Sequence, residues 1–322
     1  MDVIQEREIA EVLAVARAVR SAVNQVIEGK PEAVDLAIIA LLAEGHLLIE
    51  DVPGVGKTML AKSLARAIDC TVRRIQFTPD LLPSDITGVS VYNQASGEFD
   101  FKPGGIFANL VIGDEINRAS PKTQSALLEA MEEHRVSVDG TSHPLPRPFL
   151  VIATQNPIEM EGTYPLPEAQ RDRFLLRISM GYPQAEAEVA MLDRHGDADP
   201  LDPLRPVADA ATVMRTIESV RRVFVHPAVK EYLVAILHQT RTLPQTRLGA
   251  SPRAGLQLLR AARARAAMDG RTYVVPDDVA ELAGPALAHR VLLSSQAQLA
   301  GQSALDLVQA AVRAVPVPAG RR

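Results

Sequence analysis

The stretch of sequence that decides the fold reads Asp51-Val52-Pro53-Gly54-Val55-Gly56-Lys57-Thr58. It follows a short apolar run at 46–50 and precedes a segment, 59–68, whose apolar residues recur at helical spacing. A buried strand, a glycine-bearing turn and a helix form the context of a phosphate-binding loop. Gly54 and Gly56 would let backbone N–H groups approach phosphate oxygens, and the helix N-terminus would add further donors.

The loop predicts specific contacts with a nucleotide. Lys57 can reach the β- and γ-phosphates, and the Thr58 hydroxyl can ligate Mg²⁺. Asp51 stands where the general loop pattern has a glycine, so a plain turn between a strand and a helix is the alternative interpretation. The predicted nucleotide-binding residues of this loop are Pro53, Gly54, Val55, Gly56, Lys57, Thr58 and Met59.

Composition limits the class of protein. The chain has 322 residues, 47% of them hydrophobic and 23% charged, which is typical of a soluble globular protein with room for two domains. The net charge of −5 makes a nucleic-acid-coating surface unexpected. The single cysteine, Cys70, indicates a reducing compartment. Without a signal-peptide pattern or an apolar run of about 18 residues, we expect a cytoplasmic protein with no membrane span.

Polar residues end two further apolar runs. Asp114 and Glu115 close the run 109–113, and Asn156 follows the run 149–154. Ligands of parallel sheets bind at the carboxyl ends of the strands, so Asp114 is predicted to hold Mg²⁺ beside Thr58. Glu115 could then orient and activate a water for attack on the γ-phosphate. For Asn156, a contact with that phosphate or water competes with a role as a turn former before proline.

The predicted fold class is α/β, with a parallel-sheet core at 1–190, a linker at 191–206 and a smaller all-helical domain at 207–322. Hairpins are expected near 89–101 and 135–148, inserted into the core. The linker prediction follows from three prolines among Asp and Gly, and the strand signals largely vanish after it.

Three arginines stand out beside the acidic residues. Arg171 and Arg173 precede the last predicted strand of the core, where an ordinary surface ion pair is the alternative interpretation. Arg253 lies in the first turn of a helix that Ser251 caps and Pro252 opens. The helix dipole disfavours a cation there, so we expect an anion from another part of the structure to face Arg253.

The order of these segments resembles the AAA+ ATPases and, among them, the MoxR family. The resemblance extends from about residue 26 to 291, and the matching segments are 45–58, 74–88, 114–119, 153–157, 167–170 and 249–254. It implies a P-loop αβα core followed by a helical lid, with ATP and Mg²⁺ as cofactors. It also identifies the two hairpins with inserts of this clade.

The resemblance also implies roles for individual residues. Asn156 takes the sensor-1 role, and Arg253 takes the sensor-2 role, contacting the γ-phosphate from the lid. Arg173 matches the arginine finger that a neighbouring subunit inserts, with Arg171 as the alternative. The residues that line the adenine pocket are Val26 and Ile27.

The function implied is Mg²⁺-dependent ATP hydrolysis by a ring, expected as a hexamer. The ring would act as a chaperone-like remodelling or maturation factor on a client, with a von Willebrand A-domain protein as a partner. One alternative is an AAA+ motor related to DNA remodelling or to metal-chelatase subunits. Another is a module that binds ATP statically, against which Glu115 argues, since a static site needs no water-orienting carboxylate.

Overall fold

The computed structural model describes residues 4–157, 163–183, 185, 188, 189 and 199–318. Its helices are α1 (Glu6–Asn24), α2 (Pro31–Leu42), α3 (Lys57–Ala67), α4 (Pro83–Thr87), α5 (Pro121–Glu133), α6 (Glu168–Arg171), α7 (Ala210–Val220), α8 (Pro227–Thr242), α9 (Pro252–Met268), α10 (Pro276–Leu287), α11 (Ser295–Leu299) and α12 (Ala304–Ala314). Its strands are β1 (Leu47–Glu50), β2 (Val72–Gln76), β3 (Val89–Asn93), β4 (Glu98–Lys102), β5 (Leu110–Asp114), β6 (Arg135–Val138), β7 (Thr141–Pro144), β8 (Leu150–Gln155), β9 (Leu176–Ile178), β10 (Thr246–Leu248) and β11 (Leu292–Leu293).

A five-stranded parallel sheet forms the centre of the core, in the order β2-β5-β8-β1-β9. Its central strands are continuous apolar runs because helices cover both faces, and β5 is buried along its whole length. Leu47 at the start of β1 is level with Ile152 of β8 and Leu176 of β9. The predicted α/β class with a parallel sheet and a helical lid is confirmed.

Both predicted hairpins are present, as β3–β4 and β6–β7. They touch each other where the ring of Phe101 stacks on that of His143, with centroids 3.8 Å apart. One pairing was not predicted: β10 and β11 form a small antiparallel sheet between the lid helices. These strands are three and two residues long, too short to show an alternating pattern in the sequence.

The predicted linker contacts the core through Leu204. Within residues 199–206, Leu204 is fully buried and its carbonyl accepts a hydrogen bond from Arg66 at the end of α3. Residues 191–198 lie outside the described part, so the domain boundaries stay predictions. No helix in the described ranges is long and apolar enough to cross a membrane.

A buried histidine connects helix α5 to the edge of the sheet at which β1 and β8 begin. The Val151 N–H donates to His46 Nδ1 at 3.1 Å, and His46 Nε2 therefore donates to the Met131 carbonyl at 3.0 Å. Burial lowers the pKa of His46 to about 3, so the imidazole stays neutral. These bonds hold the C-terminal end of α5 at the edge where β1 and β8 start.

The neutral, buried imidazole predicts a pH dependence of stability. The unfolded chain takes up a proton at this residue near pH 6.5, but the folded protein does so only near pH 3. The unfolded state therefore binds more protons between these values, and the free energy of unfolding should fall as the pH decreases through this window. The contribution is about 1.4 kcal/mol per pH unit.

Urea unfolding between pH 7 and pH 4 checks this dependence in the wild type and in His46→Gln. We expect a shallower fall in the variant, because glutamine keeps an acceptor and a donor but takes up no proton. His238→Gln, at an exposed position of α8, controls for removing an imidazole. Equal slopes in His46→Gln and the wild type would contradict the assignment.

Candidate nucleotide site

The phosphate-binding loop has the backbone that its sequence requires. Gly54 and Gly56 have φ of 84° and 88°, a left-handed conformation that glycine adopts without strain. α3 begins immediately afterwards at Lys57, so its unpaired N–H groups face the loop. The Lys57 ammonium donates to the carbonyls of Val52, at 3.1 Å, and Asp51. The loop therefore presents N–H donors and one cation together, as an anionic phosphate chain requires.

Asp51, a departure from the loop pattern in the sequence, anchors the loop to the segment after β9. Its carboxylate accepts hydrogen bonds from the N–H groups of Met180 and Gly181 at 2.7 and 2.6 Å, and from the Ser179 hydroxyl at 2.8 Å. Partial burial opposes the charge, but these hydrogen bonds outweigh it and lower the pKa of Asp51. A glycine at this position would leave the segment without an acceptor.

The two predicted metal-binding residues meet at the carboxyl edge of the sheet. The Thr58 hydroxyl donates to Asp114 Oδ1 at 3.0 Å. Thr154, which the sequence analysis missed, joins this group: its hydroxyl donates to the same Oδ1 at 3.3 Å and accepts from the Glu115 N–H at 3.0 Å. This buried hydroxyl sets the positions of both acids relative to each other.

The oxygen atoms of Thr58 and Asp114 fit Mg²⁺. This ion takes one or two protein ligands and completes its octahedron with water and phosphate oxygens. Within the described ranges no group of three or more His, Cys, Asp or Glu residues could form an all-protein metal site. Arg74 of β2 pairs with the other oxygen of Asp114, Oδ2, at 2.6 Å, which leaves Oδ1 on the side of Thr58.

Glu115 has a strained backbone and defined neighbours. Its φ is 57°, a left-handed conformation that is uncommon for a residue with a side chain. Gln76 of β2 donates to Glu115 Oε2 at 3.1 Å, and Arg118 lies 3.4 Å from the same oxygen. The sequence analysis assigned no role to Gln76 or Arg74. Their position on the strand beside β5 is the signal that could have identified them.

Asn156 lies at the same edge, directly after β8, and is buried. Its backbone carbonyl accepts a hydrogen bond from Asn117 Nδ2 at 3.3 Å. Five predicted site residues therefore share the edge at which the parallel strands end: Lys57, Thr58, Asp114, Glu115 and Asn156.

An apolar cavity of about 480 Å³ opens beside the phosphate loop. Val26 and Ile27, the residues predicted to line an adenine pocket, form part of its wall. Its other lining residues include Gly54, Val55, Gly56, Met59, Met180 and Pro203. The size and the apolar lining suit a flat heterocyclic base whose phosphates would extend into the loop.

Arg173 and Arg253 lie at the opposite edge. Arg173 Nε is 3.2 Å from Glu132 Oε2, and Arg253 Nη2 is 2.6 Å from Glu132 Oε1. Glu132 belongs to the end of α5 that His46 holds where β1 starts. Arg260, two turns after Arg253 on α9, donates to the Glu44 carbonyl at 2.6 Å, also before β1.

In this structure Arg253 pairs with Glu132 and lies away from the phosphate loop of its own subunit, so its contact with a γ-phosphate stays a prediction. The physical reason is strand direction: Arg173 precedes β9 and the phosphate loop follows β1, and these two strands are parallel. The anion expected to face Arg253 is Glu132. Arg171, the alternative finger, has a buried Nε without a hydrogen-bond partner among the described residues. The catalytic roles of these arginines stay predictions.

Comparisons with known proteins agree with this architecture. Residues 46–176 match the ATPase family associated with various cellular activities (AAA), and residues 238–311 match the AAA lid domain. A crystal structure of a Cytophaga hutchinsonii protein superposes with a TM-score of 0.91 at 36% identity, covering 98% of each chain.

Curated relatives share most of the chain. The protein is 45% identical to Chaperone MoxR1 of Mycobacterium tuberculosis, over 89% of this chain and 78% of that one. It is 31% identical to Protein MoxR of Methylorubrum extorquens, over 92% and 93% of the two chains. It is also 50% identical to YeaC of Bacillus subtilis, over 93% of each. With a phosphate loop, an acidic strand end and a helical lid in the same order, the chain belongs to the MoxR family of AAA+ ATPases.

Proposed function

We propose that this protein hydrolyses ATP with Mg²⁺ in a ring of identical subunits, and that each active site is completed by Arg173 and Arg253 of a neighbour. The contact between the Thr58 hydroxyl and the Asp114 carboxylate, with Glu115 next in the chain, carries the hydrolytic half of this proposal. The completion of the site by a neighbour is inferred from the position of Arg173 and Arg253 at the edge of the sheet opposite the phosphate loop.

The residues of one subunit supply binding and activation of water. Loop N–H groups and Lys57 would bind the phosphates, and the cavity beside Val26 would hold the base. Glu115 would accept a proton from the attacking water, and Gln76 and Thr154 would hold its carboxylate and backbone. Mg²⁺ on Thr58 and Asp114 would neutralise charge on the phosphate oxygens.

A second subunit would supply positive charge. Phosphoryl transfer spreads negative charge over the terminal oxygens, and an arginine from a neighbour accelerates it by about 10³–10⁵. Arg173 and Arg253 are exposed by 26% and 42%, enough to reach an anion outside their own chain. In this arrangement hydrolysis changes the contact between subunits, which is how a ring could transmit work to another protein.

The remodelling role rests on the relatives and on the family resemblance. One relative is named a chaperone, and the family resemblance suggests a client protein, a von Willebrand A-domain partner, a hexameric ring and the cytoplasm. The β3–β4 hairpin is suited to contact such a client, because Val91, Tyr92 and Phe99 are exposed on it.

Two variants should separate nucleotide binding from hydrolysis. Lys57→Ala removes the cation of the loop and should abolish ATP binding. Glu115→Gln should retain ATP binding and lose turnover, by about 10²-fold or more, because only proton transfer is affected. Calorimetry with ATP and Mg²⁺ and a phosphate-release assay measure the two properties. Wild-type turnover in Glu115→Gln would place the base elsewhere, and retained affinity in Lys57→Ala would exclude the loop.

Mixing two inactive variants tests completion of the site by a neighbour. Arg173→Ala subunits keep Glu115, and Glu115→Gln subunits keep Arg173, so an interface between them can contain one complete site. Random equimolar mixing should restore activity at about one interface in four. The control is a mixture of the two double variants Lys57→Ala/Arg173→Ala and Lys57→Ala/Glu115→Gln. Neither double variant should bind ATP, so this mixture should stay inactive. Activity that stays at the sum of the separate variants would contradict donation between subunits.

A further inference from the structure

We propose that Glu132 is a positioning residue that holds Arg173 and Arg253 as one anion-binding pair for the neighbour's terminal phosphate. This inference rests on the proposed completion of each site by a neighbouring subunit. Each oxygen of the Glu132 carboxylate contacts one arginine, Oε2 at 3.2 Å from Arg173 and Oε1 at 2.6 Å from Arg253. The Glu132 carboxylate thus brings two guanidinium groups close to each other. A phosphate group that binds to both arginines would require them to lie this close.

The positions of these charges are unfavourable for the helices that carry them. Glu132 lies in the last turn of α5, where the helix dipole disfavours a carboxylate, and Arg253 lies in the first turn of α9, where it disfavours a cation. The Glu132 side chain is also 33% exposed, and ion pairs so accessible to water contribute little to folding. Stability therefore does not explain why these three charges occur together.

A buried network behind the pair fixes the two arginine-bearing segments to each other. The Arg290 side chain is only 2% exposed, and its Nε lies 2.7 Å from Asp172 Oδ1. Gln257 of α9 accepts a hydrogen bond from Arg290 and donates to the Asp172 carbonyl at 3.3 Å. Asp172 directly precedes Arg173, and Gln257 lies one turn after Arg253. The backbone segments that carry Arg173 and Arg253 are thus held together, and Glu132 contacts the guanidinium groups at the ends of their side chains.

Loss of the Glu132 charge should act on catalysis and not on nucleotide affinity. Without this charge the two guanidinium groups would repel each other and regain rotamer freedom. The entropic cost of ordering these side chains would then add to the activation free energy of each hydrolysis step. The nucleotide itself is bound by the loop and cavity of its own subunit, at the other edge of the sheet. The expected signature is a lower kcat with an unchanged KM for ATP.

Steady-state ATPase assays of the assembled Glu132→Gln protein test this directly. We expect kcat to fall about tenfold and KM to change by less than about twofold. Glu132→Asp should recover part of the loss, since it restores the charge on a shorter side chain. Glu129→Gln, at an exposed position of the same helix, is the matched control and should behave as the wild type. Wild-type kcat in Glu132→Gln would overturn the proposal.

A double-mutant comparison separates positioning from a structural effect. In a chain that already carries Arg173→Ala and Arg253→Ala, Glu132→Gln should cause no further loss, because Glu132 acts only through these arginines. A further fall in kcat in that background would overturn the positioning role. If the arginine variants themselves keep wild-type turnover, the proposed function fails. If they lose turnover and Glu132→Gln does not, only the present inference fails.

Discussion

The common direction of the five sheet strands is the constraint on which the rest of this structure depends. Residues that follow a strand collect at one edge, and residues that precede a strand collect at the other. Lys57, Asp114 and Asn156 follow their strands, whereas Arg173 precedes β9. A strand of four residues separates the edges by roughly 10 Å. One chain therefore presents a phosphate-binding face at one edge of the sheet and a separate face with Arg173 and Arg253 at the other.

The two faces are linked through the segment around β9. Asp51 ties the phosphate loop to Met180 and Gly181, directly after β9. At the other end of that strand, Asp172 is bound to Arg290 and so to the lid. The segment around β9 thus contacts the nucleotide loop with one end and the arginine pair with the other. A change in either face would act on the same short strand, which gives the proposed ring a physical route between successive sites.

Much of the fold could be predicted from the sequence, because its signals are local. Apolar runs predicted β1, β5 and β8, and turn residues predicted both hairpins. The proximity of Thr58 and Asp114 could also be predicted, because both follow parallel strands, but other contacts between distant residues could not. The bonds from Asp51 to Gly181 and from Thr154 to Asp114, and the pairing of Glu132 with Arg253, join residues 40 to 130 positions apart. The position of Arg173 before its strand was nevertheless a local signal that placed it away from the phosphate loop.

The central claim is that a subunit's arginine pair acts on its neighbour's nucleotide. The most direct measurement is a cryo-electron microscopy structure of the assembled Glu115→Gln protein with ATP and Mg²⁺. The account predicts that Arg173 and Arg253 of one subunit lie within hydrogen-bonding distance of the γ-phosphate bound to the loop of the next. Nucleotide-filled sites in which neither arginine reaches a neighbour's γ-phosphate, or in which the arginines reach the γ-phosphate of their own subunit, would contradict it.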